Sequence, residues 1–249
     1  MLDLHSHVLA GVDDGAATLS DSLEIARAAV ADGITELTAT PHVRADFPTS
    51  ATTMHRLVDE LRELLADEGV PLVLHPGGEI ALEHLGSISA DELSSFGLGG
   101  GRHLLIEFPY VGWPLDVHER LFQLQLAGFV PVIAHPERSA EVKAAPERLA
   151  PLVEAGSLVQ VTAASLDGRL GRSAQRAALE LVQRGLAHVI ASDAHTAAIR
   201  EAGMGAAAEA VGGGSLARWL TTDVPRAILT GGQVPPRPAA ADKRPWWRR

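Results

Sequence analysis

Short apolar runs alternate along the chain with longer stretches in which apolar residues recur at helical spacing. Each short run predicts a strand, at residues 2–4, 34–39, 72–74, 103–106, 129–134, 158–162 and 187–191. The longer stretches predict helices: one after a Thr18 or Ser20 cap that ends at Gly33, others at 52–68, 90–95, 114–127 and 172–184, and one that begins at Pro146. About seven β/α units in this order indicate an α/β fold on a parallel, barrel-like sheet rather than separate domains.

Two histidines follow the first predicted strand. His5 and His7 are two residues apart, so their imidazoles point to the same side of an extended backbone and provide half of a metal site. Asp13 and Asp14 add carboxylate oxygens in a turn, and Gly15 lets that turn fold back toward the histidines. An isolated His-Ser-His is as often an ordinary surface loop, so residues farther along the chain decide between the two interpretations.

Side chains of the same kind follow the later strands. Six lie at or just beyond predicted strand ends: His42, Glu79, Glu107, His135, Asp193 and His195. In a parallel barrel these ends form one face, where the connecting loops converge. A strand cap or a pair with arginine explains each residue singly, but the whole set predicts a metal centre. With His5, His7 and Asp14 the set has nine imidazoles and carboxylates, which suit two or three divalent ions.

Composition narrows the chemistry. The chain has 249 residues, 46% hydrophobic and 21% charged, enough for one large domain, which we place at residues 1–234. The net charge of -10 argues against a general nucleic-acid binder, because phosphate backbones are held by basic surfaces. Without any cysteine the chain has no disulfide, no thiolate metal site and no cysteine nucleophile. Any metal must be held by histidine and carboxylate side chains, a ligand set that Mn, Fe, Zn and Co all accept.

The two ends of the chain differ in character. Asp3 and two histidines interrupt the apolar residues near the N-terminus, and no stretch reaches the ~20 apolar residues of a membrane span, so we expect a cytoplasmic protein. The segment 235–249 is rich in proline and alanine and then carries basic residues beside Trp246 and Trp247. Two interpretations of this tail stay open: a disordered end, or a segment that contacts an anionic membrane or an acidic partner.

Seven short motifs occur in order between residues 2 and 195: DLHSH, VDDG, TPH, GGE, IEFP, HPER and SDAH. The series resembles the polymerase and histidinol phosphatase (PHP) superfamily. Within it, VDDG, IEFP and HPER resemble the bacterial protein-tyrosine phosphatases of capsule and exopolysaccharide operons, the CpsB/YwqE type. The resemblance implies a distorted (β/α)7 barrel similar to a TIM barrel. It also implies a metal-dependent phosphatase, with manganese the first candidate, that acts on the phosphotyrosine segment of a bacterial tyrosine kinase controlling polysaccharide synthesis.

The resemblance also assigns roles to single residues. Motif by motif, it places His5, His7, Glu107 and Asp193 around one ion, Glu79, Glu107 and His135 around a second, and Asp14, His42 and His195 around a third. Asp13 stays an alternative to Asp14. In HPER, Arg138 resembles the family's phosphate-binding arginine, with Arg44 and Arg200 assisting. A structural salt bridge to a loop carboxylate is the other interpretation of Arg138.

The expected reaction follows from the absence of cysteine. A metal-bound hydroxide should attack phosphorus directly, without a covalent enzyme intermediate. Two alternatives stay open: a phosphatase of small esters such as histidinol phosphate, and a non-catalytic, metal-stabilised regulator of polysaccharide assembly. A dinuclear amidohydrolase also begins with His-X-His, but Lys143 and Lys243 do not lie at strand ends, where its carboxylated lysine would be needed. The sequence leaves open a homo-oligomer and the role of the glycine-rich loop 97–101.

Overall fold

Ten strands in two sheets organise the part of the chain that the structure, a computed structural model, describes: residues 1–197 and 203–239. The strands are β1 (Leu2–Asp3), β2 (Glu36–Ala39), β3 (His42–Arg44), β4 (Phe47–Pro48), β5 (Val73–Pro76), β6 (Glu79–Ala81), β7 (His103–Glu107), β8 (Val130–Ala134), β9 (Leu158–Thr162) and β10 (Val189–Ala191). One sheet has the order β1-β2-β5 and the other the order β10-β9-β8-β7-β6-β3-β4. Neighbouring strands are parallel except for the short antiparallel pair β3 and β4.

Helices connect the strands and bury their apolar faces in the same core. They are α1 (Leu19–Ala31), α2 (Ala51–Asp67), α3 (Ala90–Ser95), α4 (Val117–Leu126), α5 (Ala140–Ala144), α6 (Ala150–Glu154), α7 (Ala163–Leu166), α8 (Arg172–Gln183), α9 (Met204–Ala210), α10 (Gly214–Arg218) and α11 (Val224–Thr230). Short 3-10 turns lie at Leu82–Ser87, Leu98–Gly100, Pro136–Arg138 and Pro146–Leu149, and a π-helical turn lies at Trp219–Asp223. None of the helices in the described residues combines the length and apolar character that crossing a bilayer requires.

Side-chain caps explain where the two longest early helices begin. The Thr18 hydroxyl accepts a hydrogen bond from the Asp21 N–H at 3.3 Å, and the Asp21 carboxylate accepts one from the Thr18 N–H at 2.9 Å. This reciprocal pair satisfies N–H groups that the first turn leaves without intrahelical partners, and it selects Thr18 rather than Ser20 as the cap. Ser50 likewise caps α2, by accepting from the Thr53 N–H at 3.2 Å.

The predicted α/β class is confirmed, and the strand predicted at 158–162 is β9. The strands predicted at 34–39 and 72–74 correspond to β2 and β5, and each is followed by a second short strand. The chain leaves β2 through Thr40 and Pro41 and restarts as β3, and it leaves β5 through Gly77 and Gly78 and restarts as β6. Proline has no N–H for the strand ladder, and paired glycines weaken a strand. The sequence did not predict β3, β4, β6 or α9–α11, because runs this short carry little periodicity.

The two sheets are joined by a hydrogen bond on one side and by the chain itself on the other. The Asp193 N–H, just after β10, donates to the His5 carbonyl oxygen, just after β1, at 2.9 Å. On the other side, the chain passes directly from β2 of one sheet to β3 of the other, and again from β5 to β6. The carboxyl ends of strands from both sheets therefore face a common space.

The chain after residue 234 is packed against the domain as far as residue 239. The Trp219 indole N–H donates to the Pro235 carbonyl oxygen at 2.9 Å. The Arg237 guanidinium donates to the Val182 carbonyl oxygen at 2.6 Å and to that of Ala187 at 3.3 Å. These bonds hold Pro235 and Arg237 against the domain, and the domain boundary at 234 stays a prediction. The predicted tail residues 240–249 lie outside the described residues.

We predict that Gly97→Ala destabilises the protein. A Cβ at Gly97 would overlap the Gly101 carbonyl oxygen, and backbone atoms cannot swing away as a side chain can. We expect a loss of about 1–3 kcal/mol in the free energy of unfolding, measured by thermal or urea denaturation. Gly86→Ala is the matched control, because a Cβ at Gly86 meets no atom within 4 Å. Equal unfolding midpoints for the two variants would contradict the expected clash.

Candidate metal centre

All nine predicted ligand residues converge in one region, although His42 and Glu79 begin β3 and β6 instead of following a strand directly. Their nitrogen and oxygen atoms form four groups, within each of which the atoms lie no more than 4.8 Å apart. The groups are His7, Asp14, His42 and His195; His5, His7 and Asp193; His5, Glu79 and His135; and His42, Glu79 and Glu107. Shared residues join the groups into one cluster. All nine are buried except Asp14, which is exposed, and His195, which is half-buried.

Glu79 lies at the centre of the cluster. Its Oε2 atom is 3.4 Å from the Nε2 atoms of both His5 and His7 and 2.9 Å from His42 Nδ1. Its Oε1 atom is 2.8 Å from His135 Nε2. Glu107 is more peripheral, with Oε2 3.9 Å from His42 Nδ1. The geometry therefore gives the shared central position to Glu79, whereas the resemblance assigned it to Glu107.

Two side chains behind the cluster orient its first two histidines. His5 Nδ1 lies 3.1 Å from Gln160 Oε1, and His7 Nδ1 lies 2.7 Å from Asp13 Oδ2. Gln160 Oε1 also accepts the His135 N–H at 3.1 Å. With both Nδ1 atoms bound to these acceptors, the Nε2 atoms of His5 and His7 face the cluster, as metal-binding histidines require. Sequence reasoning missed Gln160; its one signal was an amide side chain within the apolar strand β9.

The geometry also distinguishes the two aspartates of VDDG. Asp14 Oδ1 lies 3.2 Å from His195 Nε2 and 3.4 Å from His42 Nε2, within the cluster. Asp13, in contrast, accepts backbone N–H groups of Gly15 and His42 at 3.0 Å each, in addition to its histidine partner. Asp14 is therefore placed to bind an ion, and Asp13 is placed to hold the loop and a ligand in position.

The backbone is strained where it presents two of these side chains. His135 and Asp193 have φ angles of 30° and 53°, in the left-handed region that non-glycine residues rarely adopt. Such conformations cost on the order of 1–3 kcal/mol each and recur at functional sites. Gly15 solves a different problem, because a Cβ there would overlap the His7 carbonyl oxygen. The predicted fold-back of this turn toward the histidines is therefore confirmed.

Opposite charges stabilise each other inside the cluster. Burial alone would lower the pKa of His5, but the carboxylates of Glu79 and Asp193 outweigh it and raise that pKa to about 9. Burial alone would raise the pKa of Glu79, but the positive charge of His5 and the close imidazoles of His135 and His42 hold it well below its usual value. The carboxylates therefore stay ionised in a buried site, and a bound cation would displace the proton of His5, because histidine binds a metal only as the neutral imidazole.

Atoms without hydrogen-bond partners test whether the cluster suits a metal. Glu79 Oε2 and His42 Nδ1 are both buried and lie 2.9 Å apart, but they are not aligned as a hydrogen bond, and neither makes one to any other described atom. Unpaired buried polar atoms are rare, and here they point into the same cluster. Two ligands ~2.1 Å from one ion lie at most ~4.2 Å apart, similar to the spacing within the four groups. The donor set therefore fits divalent ions that accept imidazole and carboxylate ligands.

The two predicted arginines within the described residues flank the cluster. Arg138 donates to Asp193 Oδ2 at 2.6 Å. Arg44 lies 3.4 Å from Glu107 Oε2 and 2.9 Å from Asp46 Oδ1. Carboxylates thus hold both guanidinium groups beside the cluster, and both groups are partly exposed. Arg200 lies outside the described residues.

We predict that Gln160→Met weakens metal binding. Methionine has a similar shape but no strong acceptor, so the tautomer and orientation of His5 would no longer be fixed. We expect a loss of about 10–100-fold in affinity, measured by calorimetric titration of metal-stripped protein with Mn²⁺. Gln125→Met is the control, because Gln125 bonds only the Ala155 carbonyl oxygen away from the cluster. Unchanged metal affinity in the Gln160 variant would show that Gln160 does not orient His5 for metal binding.

Comparisons with known proteins agree with this arrangement. The family model for capsular polysaccharide synthesis, CpsB/CapC, matches residues 1–229. The tyrosine-protein phosphatase YwqE of Bacillus subtilis is 38% identical over 203 residues, covering 80% of this chain and 79% of the relative. The tyrosine-protein phosphatase CpsB of Streptococcus pneumoniae is 28% identical over 240 residues, covering 92% and 98%.

A solved structure extends the similarity to three dimensions. It comes from crystal structures of YwqE from Bacillus subtilis and CpsB from Streptococcus pneumoniae, described as metal-dependent tyrosine phosphatases. It matches with a TM-score of 0.83 and 34% identity over 96% of this chain and 100% of that chain. The resemblance found in the motifs is thereby confirmed, and the chain belongs to the CpsB/CapC family of capsular polysaccharide synthesis proteins.

Proposed function

We propose that this protein is a metal-dependent protein-tyrosine phosphatase of the cytoplasm. Its substrate would be the phosphotyrosine segment of a bacterial tyrosine kinase that controls capsular or exopolysaccharide synthesis. The observation that carries the proposal is the buried cluster of nine ligand-type side chains, with Arg138 beside it, in a chain without cysteine. The names of the relatives support the reaction, because YwqE and CpsB are tyrosine-protein phosphatases.

We further propose that the two sheets together form one distorted (β/α)7 barrel. Counting β2 with β3 and β5 with β6 as interrupted single strands, and leaving out the short antiparallel β4, gives seven strands in sequence order. The bridge between Ser6 and Ala194 and the hydrogen bond from Asp193 to His5 support closure between the last strand and the first. In such a barrel the connecting loops surround the candidate site.

The proposed ligands would hold two or three divalent ions, with manganese the first candidate and Fe, Zn or Co as alternatives. His5, His7 and Asp193 would form one set and His5, Glu79 and His135 another. Asp14, His42 and His195 would form a third set, with Glu107 beside His42 and Glu79. When bound, such ions supply a water of lowered pKa and positive charge next to the phosphoryl oxygens.

The chain's own residues would bind and orient the ester. Arg138 would exchange its bond to Asp193 for a paired contact with two phosphoryl oxygens, a geometry that a planar guanidinium matches. Arg44 would add positive charge from the opposite edge. Since the chain offers no cysteine, water would attack phosphorus in line with the tyrosyl oxygen, and the phenolate would leave in a single displacement.

We predict that hydrolysis of p-nitrophenyl phosphate and phosphotyrosine is lost in chelator-treated protein and restored by Mn²⁺. Alkylation with iodoacetamide should leave activity intact, because no thiol takes part. A panel with histidinol phosphate and a phosphotyrosine peptide would separate the proposed substrate from small esters. Full activity in metal-stripped protein would refute the proposal, as would a clear preference for histidinol phosphate over the peptide.

We also predict that Glu79→Gln removes more metal than Glu107→Gln. Glu79 contacts four histidines of the cluster, so neutralising it should cost at least one equivalent of metal and lower kcat by ~100-fold or more. Metal content is measured by mass spectrometry after dialysis. Glu63→Gln, at an exposed glutamate on α2, is the control. A greater loss of metal in the Glu107 variant would show that Glu107, and not Glu79, is the ligand shared between ions.

A further inference from the structure

A groove of about 420 Å³ opens beside Arg138, on the side away from Arg44. Tyr110, Val111 and Leu170 form its apolar walls, and Arg138 and Lys143 contribute positive charge. The three apolar side chains are 43%, 75% and 45% exposed. Large apolar side chains grouped in the open commonly mark a binding surface. Arg138 connects the groove to the cluster, because it lines the groove and also donates to Asp193 of the cluster.

The loop that carries Tyr110 is held firmly although its side chains are exposed. The Tyr110 carbonyl oxygen accepts the Ala140 N–H at 2.8 Å. Glu141 Oε1 accepts the N–H groups of Gly112 and Trp113 at 2.7 and 3.2 Å. These bonds fix the loop from both directions, so the exposure of the ring is a property of the folded protein.

The Tyr110 ring is positioned between the candidate centre and the groove. Its centroid lies 5.9 Å from the His135 ring, and the Arg138 guanidinium lies over its face at 5.0 Å. The ring is 43% exposed and thus available next to the arginine that would hold the phosphoryl group.

We propose that this groove binds the aryl group of the phosphotyrosine against Tyr110 and an apolar neighbour in the same polypeptide against Val111 and Leu170. The inference rests on the proposed function. With the phosphoryl group at Arg138, the phenyl ring begins one ester oxygen away and must lie beside the centre. Ring pairs of this kind favour stacked or edge-to-face packing. Tyr110 then determines specificity, because the ring of an aryl ester contacts it and an alkyl ester does not.

A second, smaller cavity on the other side of Tyr110 fits the substrate less well. It measures about 140 Å³, and both Glu83 and Glu107 line it beside Arg44. Carboxylates there would repel a phosphate ester, whereas the larger groove has two cations and no carboxylate among its described lining side chains. The volume of the larger groove also falls within the range of ~300–1,000 Å³ that is usual for small-ligand sites.

The first experiment compares Tyr110→Leu with Tyr110→Phe in the Mn²⁺-loaded, full-length protein. Substrates are p-nitrophenyl phosphate and two peptides of one sequence that carry phosphotyrosine or phosphoserine. We expect Tyr110→Leu to raise KM for the two aryl esters by about 3–10-fold more than for the phosphoserine peptide. Tyr110→Phe should behave as the wild type, and metal content should be the same in all three proteins.

Several results would overturn the inference. Equal changes for aryl and alkyl esters would remove the role of Tyr110 in specificity. A fall in kcat for Tyr110→Phe would show that the hydroxyl, rather than the ring, matters. If the wild-type protein hydrolyses no aryl phosphate, both the proposed function and this inference are refuted. If the wild type is active and Tyr110→Leu has the same KM and kcat as the wild type, only the inference is refuted.

The second experiment tests the outer part of the groove. We expect the double variant Val111→Ser, Leu170→Ser to raise KM for a phosphotyrosine peptide with apolar neighbours by about 3–10-fold, and to affect p-nitrophenyl phosphate less. Leu126→Ser is the matched control, because Leu126 is 65% exposed on α4, outside the groove. If both proteins bind the peptide equally, the apolar subsite does not exist.

Discussion

A carboxylate with almost no exposed surface is the constraint on which the site depends. Glu79 lies among the imidazoles of His5, His7, His42 and His135, and an uncompensated charge there would cost several kcal/mol. Positive charge must therefore reach it from several directions. The histidines come from different strands, so those strands must end at the same level. Parallel pairing with helical connections produces this alignment, which links the electrostatics of one side chain to the architecture of both sheets.

Much of the site could be predicted because, in a sheet of parallel strands, the position of a residue relative to the end of its strand indicates where it lies in the fold. In parallel strands, every residue just after a strand faces the same edge, so His42, His135 and Asp193 could be grouped without knowing any contact. Strand β9 was predicted with its observed bounds because four of its five residues are apolar or β-branched. The family motif HPER added Arg138 as the candidate phosphate-binding arginine beside the cluster.

The remaining features depend on contacts between residues distant in sequence. Gln160 reaches His5 across 155 positions, and nothing in the local pattern of either residue encodes that pairing. The same holds for Arg237, whose hydrogen bonds to α8 and the chain before β10 order a segment that composition alone describes as loose. Tyr110 was not predicted as a functional residue for a simpler reason. An aromatic residue just after a strand usually belongs to the hydrophobic core, and only the exposed surface of Tyr110 in the structure shows that this one does not.

Because His135 and Asp193 adopt left-handed conformations, the free energy of unfolding would depend on the concentration of free metal ions. Glycine would relieve the strain at either position but would remove a ligand, so the folded chain retains an unfavourable backbone at two places. A cation that binds only the folded cluster offsets this cost by an amount that grows with the logarithm of its free concentration relative to Kd. The same ions that would serve chemistry would then also set how much of the protein stays folded, and a cell short of them would lose protein as well as turnover.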